Sequence, residues 1–389
     1  MGTTAQTPVE RARAIAPIIA EESEAMHRAG RMTARAHQAI VDADLFRVCG
    51  PRSVGGEECA LGDAAAVAEV LGGADCSTGW LFVQANATIA NFGPRLDAET
   101  AAEVYPGPAS VVAAGFPVGP TRADVVDGGY LVSGRWAFGS GSLHAGWFDA
   151  RVTVYERGER LTTGSGLFGL MSCLVPRDEV TLVDTWDVAG MRGTGSQTYC
   201  VEQVFVPERR AVPMWQMANG TDVAAFRIPA LTAAHVGFAG LALGAATSAL
   251  TWFTALARDK TAAQSRTPLR DQGTTHRVIA HSHARLRAAS AYRDWVVGLL
   301  EDAAASEAGV TVAERAEARL AVTSIVDTAL AVTEDVYRVA GTTGIFQSCP
   351  LQRIFTDLHV MSQQLFARPT HYENVGRYLL GVEYDRSLM

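Results

Sequence analysis

Residues 186–196 read WDVAGMRGTGS, and VFVPERR follows at 204–210. Within the first stretch Arg192, Gly193, Thr194, Gly195 and Ser196 form a loop dense in hydrogen-bond donors. Two glycines let the backbone come close to a flat partner, and an arginine with two hydroxyls suits anionic oxygens or the polar edge of a ring. The alternative is a turn that serves only the fold. The glycine order is G-x-x-G-x-G, not the dinucleotide fingerprint G-x-G-x-x-G, and no such fingerprint follows a strand-like run elsewhere in the chain.

The loop sits inside a zone of β character from 110 to 213. Short β-rich runs at 110–114, 130–133, 148–155, 168–175 and 200–206 are punctuated by Gly, Asp and Pro, as in a small antiparallel barrel or sandwich. On either side the pattern is helical. Residues 1–109 carry Ala/Glu/Arg segments broken by turn signals, and 214–389 predict four long helices near 228–258, 272–304, 311–340 and 350–366. The expected class is therefore α+β, mostly α: an N-terminal helical domain, a central β domain and a C-terminal four-helix bundle.

Bulk properties narrow the function. A net charge of −8 with no block of Lys and Arg argues against nucleic-acid binding. The six cysteines form no CxxC pair, so neither zinc nor an iron–sulfur cluster is expected, and a reducing cytosol suits them. Charged residues interrupt any secretory h-region in the first 20 residues, and the location expected is cytoplasmic. The apolar stretch 228–256 is rich in Ala and Gly and reads as a buried bundle helix, not a membrane span. Gly237, Gly240 and Gly244 lie on one face of it, which favours close helix packing, within the chain or between subunits.

Five segments in order carry a resemblance. They are PRSVGGE at 51–57, DCSTGW at 75–80, YLVSGRWAFGSGSLHAGW at 130–147, the opening loop with VFVPERR, and GTTGIFQSCPLQRIFTD at 341–357, with the tail 369–381. Together these resemble the acyl-CoA dehydrogenase superfamily over essentially the whole chain, and within it the oxygenase branch. That branch includes two-component phenol hydroxylases, dibenzothiophene monooxygenases and amino-sugar nitrososynthases. The resemblance implies the acyl-CoA dehydrogenase fold and a monooxygenase that uses reduced FMN or FAD with O2 through a C4a-hydroperoxide. It implies a separate NAD(P)H:flavin reductase, a small-molecule substrate and a homotetramer in which Gly341 and Thr342 reach a neighbour's flavin.

The same resemblance assigns candidate site residues. Ser140 in the FGSG turn matches the family's hydroxyl near flavin N5, with Ser142 as the alternative and a plain turn as the other reading. Gly139 and Gly141 let the backbone approach a ring, and Trp136 and Phe138 supply an apolar wall or belong to the core. Arg192, Gly193, Thr194 and Ser196 are the loop's cofactor candidates.

A dehydrogenase of this family needs a glutamate to remove an α-proton. The two usual sites read QQLFAR at 363–368 and IPA at 228–230, with no carboxylate. Seven residues after Asp357 the oxygenase branch often has a histidine. Here that position is Gln364, which can only hydrogen-bond. His144 and His235 are the remaining candidates for a base, each weighed against a satisfied core histidine. No metal is expected at His276, His281 and His283, which lack a carboxylate partner at helical spacing. Trp80, Phe92, Phe238, Trp252 and Phe346 suggest an apolar, aromatic pocket. The alternatives are an acyl-CoA dehydrogenase-like oxidoreductase and a flavin-binding paralogue that has lost its base.

Overall fold

The computed structural model describes residues 6–161, 170–214, 223–262 and 265–386. Five helices come first: α1 (Pro8–Ala29), α2 (Ala34–Asp42), α3 (Leu61–Ala74), α4 (Cys76–Phe92) and α5 (Ala98–Val104). Local chemistry starts them. Thr7 and Glu10 form a reciprocal capping box before Pro8 at the first turn of α1, and Asp75 caps α4 by accepting from Thr78 N at 2.8 Å.

Among the described residues ten strands follow between Val112 and Pro213: β1 (Val112–Ala114), β2 (Phe116–Pro117), β3 (Arg122–Val126), β4 (Gly129–Gly139), β5 (Trp147–Glu156), β6 (Glu159–Arg160), β7 (Leu170–Pro176), β8 (Thr181–Val183), β9 (Gln197–Pro207) and β10 (Ala211–Pro213). The strand expected from 168 begins at Leu170, and its first two positions lie outside the described residues. The strands make one sheet in the order β10-β7-β5-β3-β4-β9-β8, with β1 and β6 on β5 and β2 on β4. Pairing is antiparallel except where β1 and β3 each run parallel to β5.

The C-terminal part holds α6 (Ala230–Asp259), α7 (Gly273–Ala305), α8 (Val312–Ala340), α9 (Pro350–Met361) and α10 (Thr370–Leu379). The first three match the expected helices within two residues. The fourth does not reach 366. Ser362 turns its hydroxyl back to His359 O, and Gln364 caps a new short turn, Leu365–Ala367, ahead of Pro369.

Helix α6 is long and apolar enough to cross a membrane, yet 78% of its most apolar window is buried within the chain. Its glycines explain why. A Cβ on Gly240 would overlap Ala65 O of α3, one on Gly244 would overlap Glu69 O, and one on Gly237 would lie 3.1 Å from Val83 of α4. The glycine face therefore seats α3 and α4 of the same chain and does not serve a contact between subunits.

Candidate active site

Strand β4 ends in a distortion that aims its last side chains differently. Its register with β9 slips between Trp136 and Gly139, and Phe138 between them takes a left-handed φ of 61°. Such a bulge rotates successive residues off the normal alternation. Trp136 points into the β core: it is fully buried, stacks on Tyr199 at 5.3 Å, and donates from Nε1 to Arg151 O at 3.0 Å. Its place is the core, and it offers no wall to a cofactor. Phe138 is 57% exposed and meets Trp186 edge-on at 6.2 Å. An aromatic ring held out of the core by a strained backbone is a surface on which a flat ring can lie.

Ser140 follows at once and is buried. Its Oγ accepts from Trp80 Nε1 at 3.0 Å and lies 2.8 Å from Ser196 Oγ. Ser196 Oγ in turn lies 2.7 Å from Thr194 Oγ1, which lies 2.8 Å from Met191 O. The end of this row fixes the direction of every bond in it. A carbonyl only accepts, so Thr194 gives its proton to Met191 O. Ser196 then gives its proton to Thr194, and Ser140 gives its own to Ser196. Ser140 is left with one unused lone pair and no proton to donate. The hydroxyl is an acceptor by construction.

The 190–196 loop braces this row. Met191 and Gly195 both adopt left-handed φ, 54° and 51°. Met191 N donates to Asp357 Oδ1 of α9, and Gly141 N donates to Thr194 O at 3.0 Å. A Cβ on Gly193 would press on Ser77 at 2.9 Å, so this glycine allows the approach of α4. Arg192 spends its guanidinium on His27 O and Val188 O, each at 2.8 Å. It ties the loop to the end of α1 through these two bonds, with Asp187 Oδ1 at 3.7 Å. Ser142 donates to Gly195 O at 3.0 Å and is fully buried, which leaves Ser140 as the hydroxyl that lines the cleft. Gly341 and Thr342 lie at the far end of α8, where Lys260 Nζ holds Ala340 O and Thr343 Oγ1. Both are exposed.

Aromatic rings extend from Trp80 into the bundle. Trp80 stacks on Phe238 at 4.3 Å, Phe238 on Phe366 at 4.6 Å, and Trp80 lies 6.0 Å from Phe366. Phe366 is the member that sequence reasoning missed; it sits two residues beyond Gln364, in the turn where a continuing helix was expected. Gln364 Oε1 accepts from Leu365 N at 2.6 Å and so shapes the turn that presents Phe366. Of the other aromatic candidates, Phe92 is buried in a separate cluster under α5, and Phe346 is 62% exposed.

The histidines have distinct fates. His144 shares a cleft with Ser140, Gly141 and Leu81, and stacks on His37 at 4.5 Å. Burial first, then the His37 and Arg31 charges, press its pKa down to about 4, against a smaller upward pull from the Met32 backbone. At neutral pH it is an uncharged ring and a weak base. His235 lies in α6 with Nδ1 at 2.7 Å from Arg319 Nη1. A guanidinium only donates, so Nδ1 accepts and the ring proton sits on Nε2. In that tautomer His235 offers an N–H and not a basic lone pair. His276 approaches Arg270 O on an exposed face. A second cleft, of about 60 Å³, opens between α4 and the start of α6 and is lined by Phe82, Val83, Asn86, Ile228 and Gly237, without Ser140 or either histidine.

Known proteins resemble this chain in sequence and fold. A model described as "Acyl-CoA dehydrogenase, C-terminal domain" matches residues 236–369. The chain is 27% identical over 400 residues to a pigment production hydroxylase of Rhodococcus sp. (strain ATCC 21145), covering 100% of both. It is 28% identical over 362 residues to an indole-3-acetate monooxygenase of Pseudomonas putida, covering 88% of this chain and 86% of that one. The structure of XiaF from Streptomyces sp. in complex with FADH2 and glycerol superposes with a TM-score of 0.89 at 25% identity, covering 97% of this chain and 95% of that one.

Proposed function

We propose that this chain, a member of the acyl-CoA dehydrogenase superfamily, is the oxygenase component of a two-component flavin-dependent monooxygenase acting on a small aromatic substrate. The observation that carries the reading is the polarity of the Ser140 row. Reduced flavin, when bound, supplies the electrons that activate molecular oxygen. Ser140 Oγ, with its proton committed to Ser196, is built to accept the N5–H that only a reduced ring carries. The residues present fit such a group: Phe138 offers an exposed ring face, Ser140 and Gly141 line a cleft, and the Trp80 indole orients Ser140, whereas Gly139 is packed against Tyr199 of β9.

What the site lacks agrees with this. No carboxylate stands at 228–230 or 363–368, so the proton abstraction that defines a dehydrogenase has no base. His144 is too acidic and His235 is in the donating tautomer, which favours electron-rich rings or amines that need little help from a base. On this reading a separate NAD(P)H:flavin reductase supplies reduced FMN or FAD, because the chain carries no dinucleotide fingerprint. The same reading has it assemble as a homotetramer in a reducing cytosol, where its cysteines stay free.

The test is oxygen uptake by the purified protein given reduced flavin and a panel of phenols, indoles and amines, with products read by mass spectrometry. Substrate gaining one oxygen atom supports the reading. Flavin reduction by an acyl thioester, with no oxygenated product, overturns it in favour of a dehydrogenase.

A further inference from the structure

Arg319 of α8 is 6% exposed, and among the described residues no carboxylate pairs with it. Burial alone pulls its pKa down to about 10, with no acidic neighbour opposing. An uncompensated buried cation costs several kcal/mol, and proteins seldom keep one without a use. Its neighbours do not cancel the charge. His235 accepts one N–H and is neutral, and Arg319 Nε has no acceptor. His371, the third ring here, has Nε2 engaged with Leu365 O at 2.5 Å and Nδ1 without a partner, and the charges bearing on it are those of Arg319 and Arg368.

This cluster is joined to the Ser140 row. His235 lies 5.7 Å from Phe366, which stacks on Phe238, which stacks on Trp80, whose indole bonds Ser140. One aromatic wall thus has an acceptor hydroxyl at one end and an unpaired guanidinium at the other. We infer that Arg319 and the Nε2–H of His235 form the anion-binding end of the substrate pocket, and that the substrate is an aromatic ring bearing a carboxylate on a short arm. The inference rests on the monooxygenase reading for the ring's place beside Ser140, while the anion site itself rests on Arg319. A carboxylate supplies both the missing charge and the missing acceptors, and a guanidinium is the side chain best shaped to hold it.

The test uses phenylacetate, 3-phenylpropanoate and 4-phenylbutanoate against their primary amides, by calorimetry and thermal shift on the full chain. Wild type should bind the best acid about 10-fold or more tighter than its amide, and the acid alone should raise Tm. Arg319→Gln should bring acid and amide to within about 2-fold while amide binding holds. Arg319→Met, similar in volume and apolar, serves as a second variant, since replacing a buried charge this way is often tolerated. Equal binding of acid and amide by wild type, or a preference that survives Arg319→Gln, overturns the anion site, and the wild-type comparison stands even if neither variant folds. Oxygen uptake with a neutral phenol separates the two claims. Uptake without acid preference removes the anion site alone, and acid preference without uptake on any substrate removes the monooxygenase reading alone.

Discussion

Ser140 shows how much a single hydroxyl can be made to mean by what surrounds it. Its proton is committed through Ser196 and Thr194 to Met191 O, so its remaining capacity is that of an acceptor. Ser140→Ala should weaken reduced-flavin binding about 5-fold and raise the hydrogen peroxide released per flavin consumed. Anaerobic titration and a peroxidase-linked assay measure the two. Unchanged values for both would reassign Ser140 to a turn. Gln364 is the second test at this scale. It caps the turn that carries Phe366, so Gln364→His brings a titratable ring beside the aromatic wall without a change of size. The variant should fold and show a new step in product formation near pH 6–7. A pH profile identical to the parent would put residue 364 outside the site. Sequence alone reached Ser140 and Phe138 through the FGSG turn. It could not separate Trp136 from Phe138, because strand alternation predicts faces only where the register is unbroken, and here a bulge intervenes.

Helices and strands set these residues in place through close approach. Gly240 and Gly244 let α6 lie against the backbone of α3, which fixes where His235 and Phe238 stand. Gly240→Ala should lower stability by roughly 1–3 kcal/mol, because the nearest obstruction is a backbone oxygen that cannot step aside. Gly237→Ala meets only Val83 side-chain atoms at 3.1 Å and should cost clearly less. Denaturant unfolding of the two variants compares them directly, and equal losses would contradict this packing. The three long bundle helices were legible from their period, since about 30 residues of Ala-rich pattern leave few alternatives. The end of α9 was not, because Ser362 and Gln364 stop it with side-chain bonds that leave no mark on apolar spacing. The Arg319 cluster was illegible for another reason: its members come from α6, α8 and α10, far apart in sequence.

The molecule as a whole carries a buried acidic pair that links pH to stability. Asp357 is pushed up to about 7 by burial and then by Asp75, against the Met191 N–H bond, Arg353 and Cys76. Its folded pKa lies above the ordinary carboxylate value, so the stability it contributes is present at low pH and is lost as pH rises through about 7. The unfolded carboxylate ionises above about pH 4, so the loss builds up from there to about 7, and Asp357→Asn should gain clearly more in Tm over the parent at pH 8 than at pH 5. A gain that is the same at both pH values would show that Asp357 does not titrate there. Exposed apolar side chains on the bundle, Trp295, Ile345, Phe346, Leu379 and Leu380, offer material for self-association now that the α6 glycines are spent within the chain. Light scattering should find a tetramer, and a stable species of 41.3 kDa at micromolar concentration would contradict it. The most direct test of the central claim compares the affinity of the untreated protein for reduced and oxidised flavin under anaerobic conditions. An acceptor hydroxyl predicts that reduced FMN or FAD binds about 10-fold or more tighter than its oxidised form. Equal affinity, or tighter binding of oxidised flavin, would contradict it.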